Sequence, residues 1–462
     1  MTGNRLERKI GLGGAVFTLI GYIVGASIFI LPGQLAGIAG PAVFLAYLLA
    51  AVPALVNCLI AAQVGTILPV SAADYVFSSV VLHPFLGFLK VWTSTIALLV
   101  GVPLLAYGFA DYAAYFLPGL DRMVTAMAVI VALMAINLLG LRANVSTQMA
   151  MVGVFIAALL IFAIGGLFYV DWSLLTPMVP NGYDSVLNAA VPAFYSYSGF
   201  AVIVVIGEEI RNPGRTVPLT LAIAFAIVAT IYTLVTIVLP GVVPWQQLGT
   251  MVAPMGSAAK LFLPDWFASL ITLSALMAAA TSINALILTT SRSFFALARN
   301  RIYPELLNHL SRNTREPNRA IIAVVVVALI GVALQGEIVQ YASVSTIGAM
   351  FYGIVWSVGL IRLPVKLPDH YRDAVFRLSI PTIWVVASIK IAVSLLFLYI
   401  GVRNNPGPSF VYLMLVLLGA VYYFGRQRHL ARQGVSLHDL LRHEANQTYP
   451  APGTRTVAEN RP

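Results

Sequence analysis

The sequence is built from runs of about 20 apolar residues, each long enough to cross the hydrocarbon core of a bilayer as a helix. The runs centre on Ile10–Leu31, Ala42–Ile67, Phe85–Ala110, Met123–Leu139, Gln148–Tyr169, Val186–Ile206, Leu219–Leu239, Trp266–Leu297, Ala320–Leu334, Tyr341–Ile361, Ile380–Val402 and Phe410–Phe424. Gaps between them are short, and only the tails and a loop near Asn300–Asn318 fall outside this pattern. The expected fold is therefore an all-α integral membrane protein with about twelve transmembrane helices. Composition agrees: 60% of the 462 residues are hydrophobic and 10% are charged, against about 25% charged in a soluble domain. So few ionic groups cannot cover a water-facing surface, and the same balance excludes disorder. One cysteine, Cys58, excludes an intrachain disulfide. The apolar run after Arg8-Lys9 is too long for a cleavable signal and reads as the first span.

The net charge of +10 is a matter of topology, not of nucleic acid. With the N-terminus in the cytoplasm, Arg5, Arg8, Lys9, Lys90, Arg142, Arg211, Arg215, the arginines between Arg292 and Arg319, and the basic C-terminal tail share that side. The other side holds Arg122, Lys260 and Arg403. This asymmetry fits the positive-inside rule and predicts cytoplasmic termini, with a bacterial inner membrane as the expected setting. The basic tail reads as a topology determinant and nothing more; the other reading is contact with anionic lipid headgroups.

The seventeen carboxylates all fall in loops, tails or near helix ends, and all six histidines fall on the cytoplasmic side. Among charged residues only Lys390 sits in mid-span. The expectation is a lysine of a peripheral helix at a lipid or subunit contact; the other reading is a coupling lysine.

Two spans do not read as continuous helices. Gly25, Ala26 and Ser27 interrupt the first in mid-bilayer; Ser196, Ser198 and Gly199, flanked by Tyr195 and Tyr197, interrupt the sixth. Small residues also serve tight helix packing, which explains isolated glycines. Two interruptions five spans apart point instead to an inverted repeat. The domain reading follows: a tail over 1–9, a first repeat over 10–170 (helices 1–5), a second over 171–363 (helices 6–10), two peripheral helices over 379–425 and a tail over 426–462. Unwound backbone inside a membrane survives only where it lines a cavity. There, free N–H groups at a half-helix N-terminus can hold a carboxylate, and free carbonyls an ammonium group or a cation. No catalytic side chain is needed.

The stretch Gly21-Tyr22-Ile23-Val24-Gly25-Ala26-Ser27-Ile28-Phe29-Ile30-Leu31-Pro32-Gly33 resembles the first-helix signature of the amino acid–polyamine–organocation permeases. Phe194–Phe200, with Glu208-Glu209-Ile210-Arg211-Asn212-Pro213-Gly214-Arg215, resembles their sixth-helix signature. Asn284-Ala285, Ser291-Arg292 and Ala298–Pro304 form a third match. The resemblance implies a 5+5 inverted repeat of leucine-transporter type. It implies that amides of Gly25, Ala26 and Ser27 hold a substrate carboxylate, that Ile23 and the carbonyls of Tyr195 and Ser198 receive an amino group, with Ser196 and Gly199 beside them, and that Tyr195 closes over the substrate. Glu208, Glu209, Arg211 and Arg215 match an inner gate; helix capping and topology account for them equally.

Two departures refine the expectation. Many relatives carry a carboxylate where Ala201 stands, and its loss favours a neutral or hydrophobic substrate side chain. Some relatives carry a lysine in the fifth helix, and Met151–Ile156 has none. Helix eight instead offers Ala278, Thr281 and Ser282 on one face. With Gly21 and Val24 they form a candidate Na⁺ site resembling that of the leucine-transporter fold; the alternative is that these hydroxyls bond back to their own turn.

The expected function is a secondary transporter for an amino acid or related amine, coupled to Na⁺ or H⁺ or working as an exchanger, without a cofactor, as a monomer or homodimer. A membrane enzyme needs catalytic polar clusters that the spans lack. A channel and a non-transporting membrane sensor remain the readings from other classes.

Overall fold

The computed structural model describes residues 10–67, 73–140, 145–200, 203, 210–299, 301–311, 314 and 316–434. Among these residues the only extended pairing is an isolated parallel bridge between Ile10 and Ile210. The rest is helical: α1 (Leu12–Ile23), α2 (Ser27–Ala39), α3 (Val43–Ile67), α4 (Ala73–Val81), α5 (Pro84–Phe116), α6 (Arg122–Leu138), α7 (Val145–Leu167), α8 (Tyr183–Ala193), α9 (Pro213–Val242), α10 (Trp245–Leu248), α11 (Pro254–Ala259), α12 (Asp265–Arg299), α13 (Asn318–Ala333), α14 (Ile338–Lys366), α15 (Pro368–Asp373), α16 (Ile380–Asn404) and α17 (Pro406–Arg432). Eight helical runs are long and apolar enough to cross a membrane, and α1, α6 and α13 are shorter apolar helices. The chain is an integral membrane protein.

One of the eight runs, Ser27–Ile67, has 41 residues and as a single helix would measure about 60 Å, twice a bilayer core. Gly40 prevents this: at φ 68 it turns the chain between α2 and α3. Caps fix other ends. Asp121 accepts from the Val124 N–H at 2.8 Å to start α6, and the Ser379 hydroxyl accepts from Thr382 N–H at 3.3 Å to start α16. In the loop after α7, the Ser173 hydroxyl and N–H bond Asp171 and hold its carboxyl below the ordinary range.

Several elements depart from the sequence reading. Four short helices, α4, α10, α11 and α15, stand where loops were expected. Two of them pack on α2, because small residues let backbones meet: a Cβ on Gly33 would lie 2.6 Å from the Pro254 ring, and one on Gly37 would lie 2.8 Å from Gly249 Cα. The helix α16, expected to be peripheral, has one buried face. Ile383, Val386, Ala387, Lys390, Ser394, Phe397, Ile400 and Gly401 are buried at helical spacing, so one whole face of α16 belongs to the core. The helix packs chiefly on α14, and also on α3 and α8.

Close contact between α2 and α5 gives a direct test of the packing. A Cβ on Gly108 would fall 2.0 Å from the Ile30 Cδ1, and overpacking of this kind costs about 1–3 kcal/mol. Gly108→Val is expected to lower the melting temperature in detergent by several degrees. Gly407→Ala, where a Cβ meets nothing within 4 Å, is the control and is expected to melt within about a degree of the parent.

Candidate functional site

The helical ladder of the first span stops at Ile23 and resumes at Ser27. Val24, Gly25 and Ala26 form the interruption, and Ser27 already opens the second half-helix. Ala26 provides no side-chain cap to α2; its carbonyl takes the N–H groups of Phe29 at 3.0 Å and Ile30 at 3.2 Å, so the N–H groups of Ser27 and Ile28 are those that the helix itself leaves without partners. In the sixth span α8 ends at Ala193, a 3₁₀ turn covers Phe194–Tyr197, Ser198 is extended and Gly199 sits at φ 122. A side chain at Gly199 would be strained by that backbone and would meet the Tyr22 carbonyl oxygen at 3.3 Å and Ile23 Cα at 3.5 Å. Gly199 is therefore where the two interruptions touch.

A tyrosine that sequence reasoning missed joins them. The Tyr232 hydroxyl, from α9, lies between two carbonyl oxygens, donating toward Ile23 at 3.1 Å and Ser196 at 3.0 Å. Tyr232 is completely buried and packs against Tyr47 and Tyr197 with ring centroids 5.9 and 5.1 Å away. Tyr47 reaches Ser196 Oγ with its own hydroxyl at 3.3 Å. The available signal was two tyrosines inside apolar runs, Tyr47 and Tyr232, because a buried tyrosine hydroxyl usually finds a partner.

Other expected residues fall as follows. The Tyr195 hydroxyl lies against Gly101 of α5, where a Cβ would stand 2.6 Å from the oxygen. The Tyr195 carbonyl accepts the Ser198 N–H at 3.0 Å and the Ser198 hydroxyl as well. Of the three carbonyls expected to receive an amino group, those of Ile23 and Tyr195 thus have protein donors in this conformation. A carbonyl has two lone pairs, so the Ile23 oxygen keeps one for a further donor. Ser198 is exposed, and Tyr22 is 48% exposed.

Ser282 of α12 stands directly at the first interruption: a Cβ on Gly25 would lie 2.6 Å from the Ser282 oxygen. Thr281 donates its hydroxyl to the carbonyls of Met277 at 2.9 Å and Ala278 at 3.0 Å, as the back-bonding reading required. Its oxygen keeps lone pairs for a cation. Gly21 faces α7, and its absent Cβ would sit 2.9 Å from Val152, the stretch where the fifth helix lacks a lysine. Gly21 and Ser282 thus touch different neighbours.

Of the gate residues, Glu208 and Glu209 lie outside the described residues, as does Ala201. Arg211 and Arg215 are exposed. The Arg211 N–H bonds the Ile10 carbonyl at 2.9 Å, within the bridge that joins the start of α1 to the segment after the sixth-span interruption. The two broken spans are thus tied twice, at mid-depth through Tyr232 and at their ends through this bridge.

Lys390, expected at a lipid or subunit contact, has no exposed surface. It lies against the core face of α14, with its Nζ 3.8 Å from Met350 Sδ and 5.5 Å from the centre of the Phe194 ring.

Two interrupted spans, with one buried tyrosine within reach of a carbonyl of each, stand in an all-helical membrane chain. Comparison with known proteins agrees. The family model described as amino acid permease matches residues 10–421, and the chain belongs to that family, within the amino acid–polyamine–organocation permeases. It is 29% identical to an uncharacterised transporter of Mycobacterium tuberculosis over 85% of this chain and 87% of that one. It is 26% identical to the methylthioribose transporter of Bacillus subtilis (88% and 90% covered) and 24% identical to a branched-chain amino acid permease of the same organism (91% and 93%).

The contact at Gly25 leaves no room for a side chain. Gly25→Ala is expected to displace Ser282 and cut transport at least tenfold while the protein still elutes as one folded species. Gly199→Ala is expected to do the same through the Tyr22 contact. Full transport by both variants in a proteoliposome assay would remove the two interruptions from the site.

Proposed function

We propose that the protein is a secondary transporter that moves a neutral or hydrophobic amino acid, or a closely related amine, by alternating access. The observation that carries this reading is the meeting of the two interrupted spans at Gly199, Tyr22 and Ile23. There, the α2 N-terminus offers N–H groups to a carboxylate, and the carbonyls around Ile23 and Ser198 offer acceptors to an amino group. About twelve transmembrane helices arranged as a 5+5 inverted repeat fit this pairing of a first and a sixth span. The neutral side chain rests on Ala201 in place of a carboxylate, with apolar Phe200 and Ile203 beside it. A branched-chain amino acid permease among the relatives supports the same class.

Thr281 and Ser282, with carbonyls of Ala278, Gly21 and Val24, are the candidate Na⁺ ligands. The approach of Ser282 to Gly25 favours this placement, because a cation there would link α12 to the first interruption. The charge asymmetry of the loops favours cytoplasmic termini in a bacterial inner membrane, with the chain as a monomer or homodimer among lipids.

Three measurements test these statements. A thermal-shift screen of the purified protein against amino acids and amines is expected to single out neutral, apolar amino acids. Binding at one hundred times Kd stabilises by about 2.7 kcal/mol, enough to stand clear of non-ligands. A strongly cationic or acidic compound as the sole ligand would overturn the reading of Ala201. Replacing Na⁺ by choline at fixed pH is expected to reduce uptake several-fold; equal uptake removes the Na⁺ site. For topology, a cysteine placed at Trp172 is expected to react with an impermeant maleimide in intact cells and one at Arg301 only after lysis. Native Cys58 is buried and gives a quiet background.

A further inference from the structure

Lys390 lies ten residues from the start of α16, about 15 Å along the helix, too far for its stem to reach either membrane surface. The side chain is fully buried. Its amine rests on the backbone of α14 at Gly353, where a Cβ would lie 2.6 Å from Cε and 3.2 Å from Nζ. Its contacts are a thioether, Met350 Sδ at 3.8 Å, and the face of Phe194 at 5.5 Å. The Ser394 hydroxyl turns to the same sulfur at 3.6 Å.

Among the described residues no counter-ion faces it. Of the helices packed on α16, α3 carries no charged residue, and α8 carries only Asp184, in its first turn. On α14 the charged residues are Arg362 and Lys366 near its end, and on α17 they are the basic set from Arg426 onward. Elsewhere the titratable groups of these helices and of the Phe194–Tyr197 turn are tyrosines and Cys58. A permanent ammonium in such a place is costly to hold, and a purely structural role would be filled better by Met or Leu. Glycine at 353 and a polarisable sulfur make a fitted berth for an amine.

That berth adjoins the second interruption. Phe194, under the amine, begins the 3₁₀ turn that ends at Tyr197 and leads into the second interruption. It also meets Phe397 of α16 edge to face at 6.5 Å. Movement of the sixth span therefore changes the surroundings of Lys390 directly.

We propose that Lys390 is the proton site of the transporter. The Nζ takes up one proton from one side in one conformation and releases it to the other side in the opposite conformation, so that one proton crosses with each substrate molecule in the same direction. This rests on the alternating-access reading above.

The test uses the full-length protein in proteoliposomes with choline as the only monovalent cation, so that Na⁺ contributes nothing. Exchange of labelled leucine and other neutral amino acids, without a gradient, reports the transport cycle itself. A gradient of one pH unit, acid outside, can drive up to about tenfold accumulation at one proton per substrate, and an internal pH dye counts the protons. The wild type is expected to accumulate substrate and acidify the lumen. Lys390→Met is expected to exchange substrate but to lose accumulation and acidification. Lys390→Arg, which cannot give up its proton, is expected to lose accumulation as well. Gradient-driven accumulation by Lys390→Met overturns the proposal. Substrate flux in the wild type without proton movement also overturns it, and that result needs no variant to fold. Absence of exchange by the wild type for every amino acid, in choline and again with Na⁺ on both sides, would instead sink the transport reading, and the proposal with it.

Discussion

Every backbone N–H and C=O inside a bilayer must have a partner, because lipid offers none. A helix satisfies this rule automatically; an interrupted helix does not. This protein breaks two helices and sets one phenol beside a freed carbonyl of each. The single Tyr232 O–H proton is shared between the last carbonyl of α1, at Ile23, and the carbonyl of Ser196 in the other interruption. Tyr47 secures the Ser196 side chain. The three rings pack against one another and keep the Tyr232 and Tyr47 hydroxyls in place.

The same economy explains where side chains are forbidden. Gly25 lies under Ser282, Gly199 against the Tyr22 carbonyl, and Gly101 against the Tyr195 hydroxyl. Each contact brings a separate helix to one of the two interruptions. The parallel bridge of Ile10 with Ile210 adds a tie at the far ends of the same two spans, so α1 and the segment after the sixth-span interruption are held together as a unit. Amino acid permeases share this family with the chain.

Much of the fold was legible in the sequence, because apolar length alone specifies spans. The interruptions were legible too: helix-breaking small residues in mid-span, at Gly25–Ser27 and Ser196–Gly199, have few other uses. Their bounds shifted by a residue or two, since Ser27 has helical geometry that composition cannot reveal. What the sequence hid was partnership across distant helices. Tyr232 and Tyr47 look like any aromatic of an apolar run until their hydroxyls are followed to their acceptors. Lys390 was visible but misplaced. Hydropathy marks α16 as a span, whereas its buried stripe from Ile383 to Gly401 appears only once α14 is packed against it. The four short helices were missed because none has the length that a periodicity signal needs.

The central claim is that the Tyr232 hydroxyl couples the two interruptions into one site. Tyr232→Phe removes a single oxygen and keeps the ring, so packing with Tyr47 and Tyr197 is retained. Exchange of a neutral amino acid by purified, reconstituted protein tests it. The account predicts at least a tenfold fall in exchange by Tyr232→Phe, with a loss of about 1–3 kcal/mol in stability for the two unpaired buried carbonyls. Exchange and melting temperature equal to those of the wild type would contradict it.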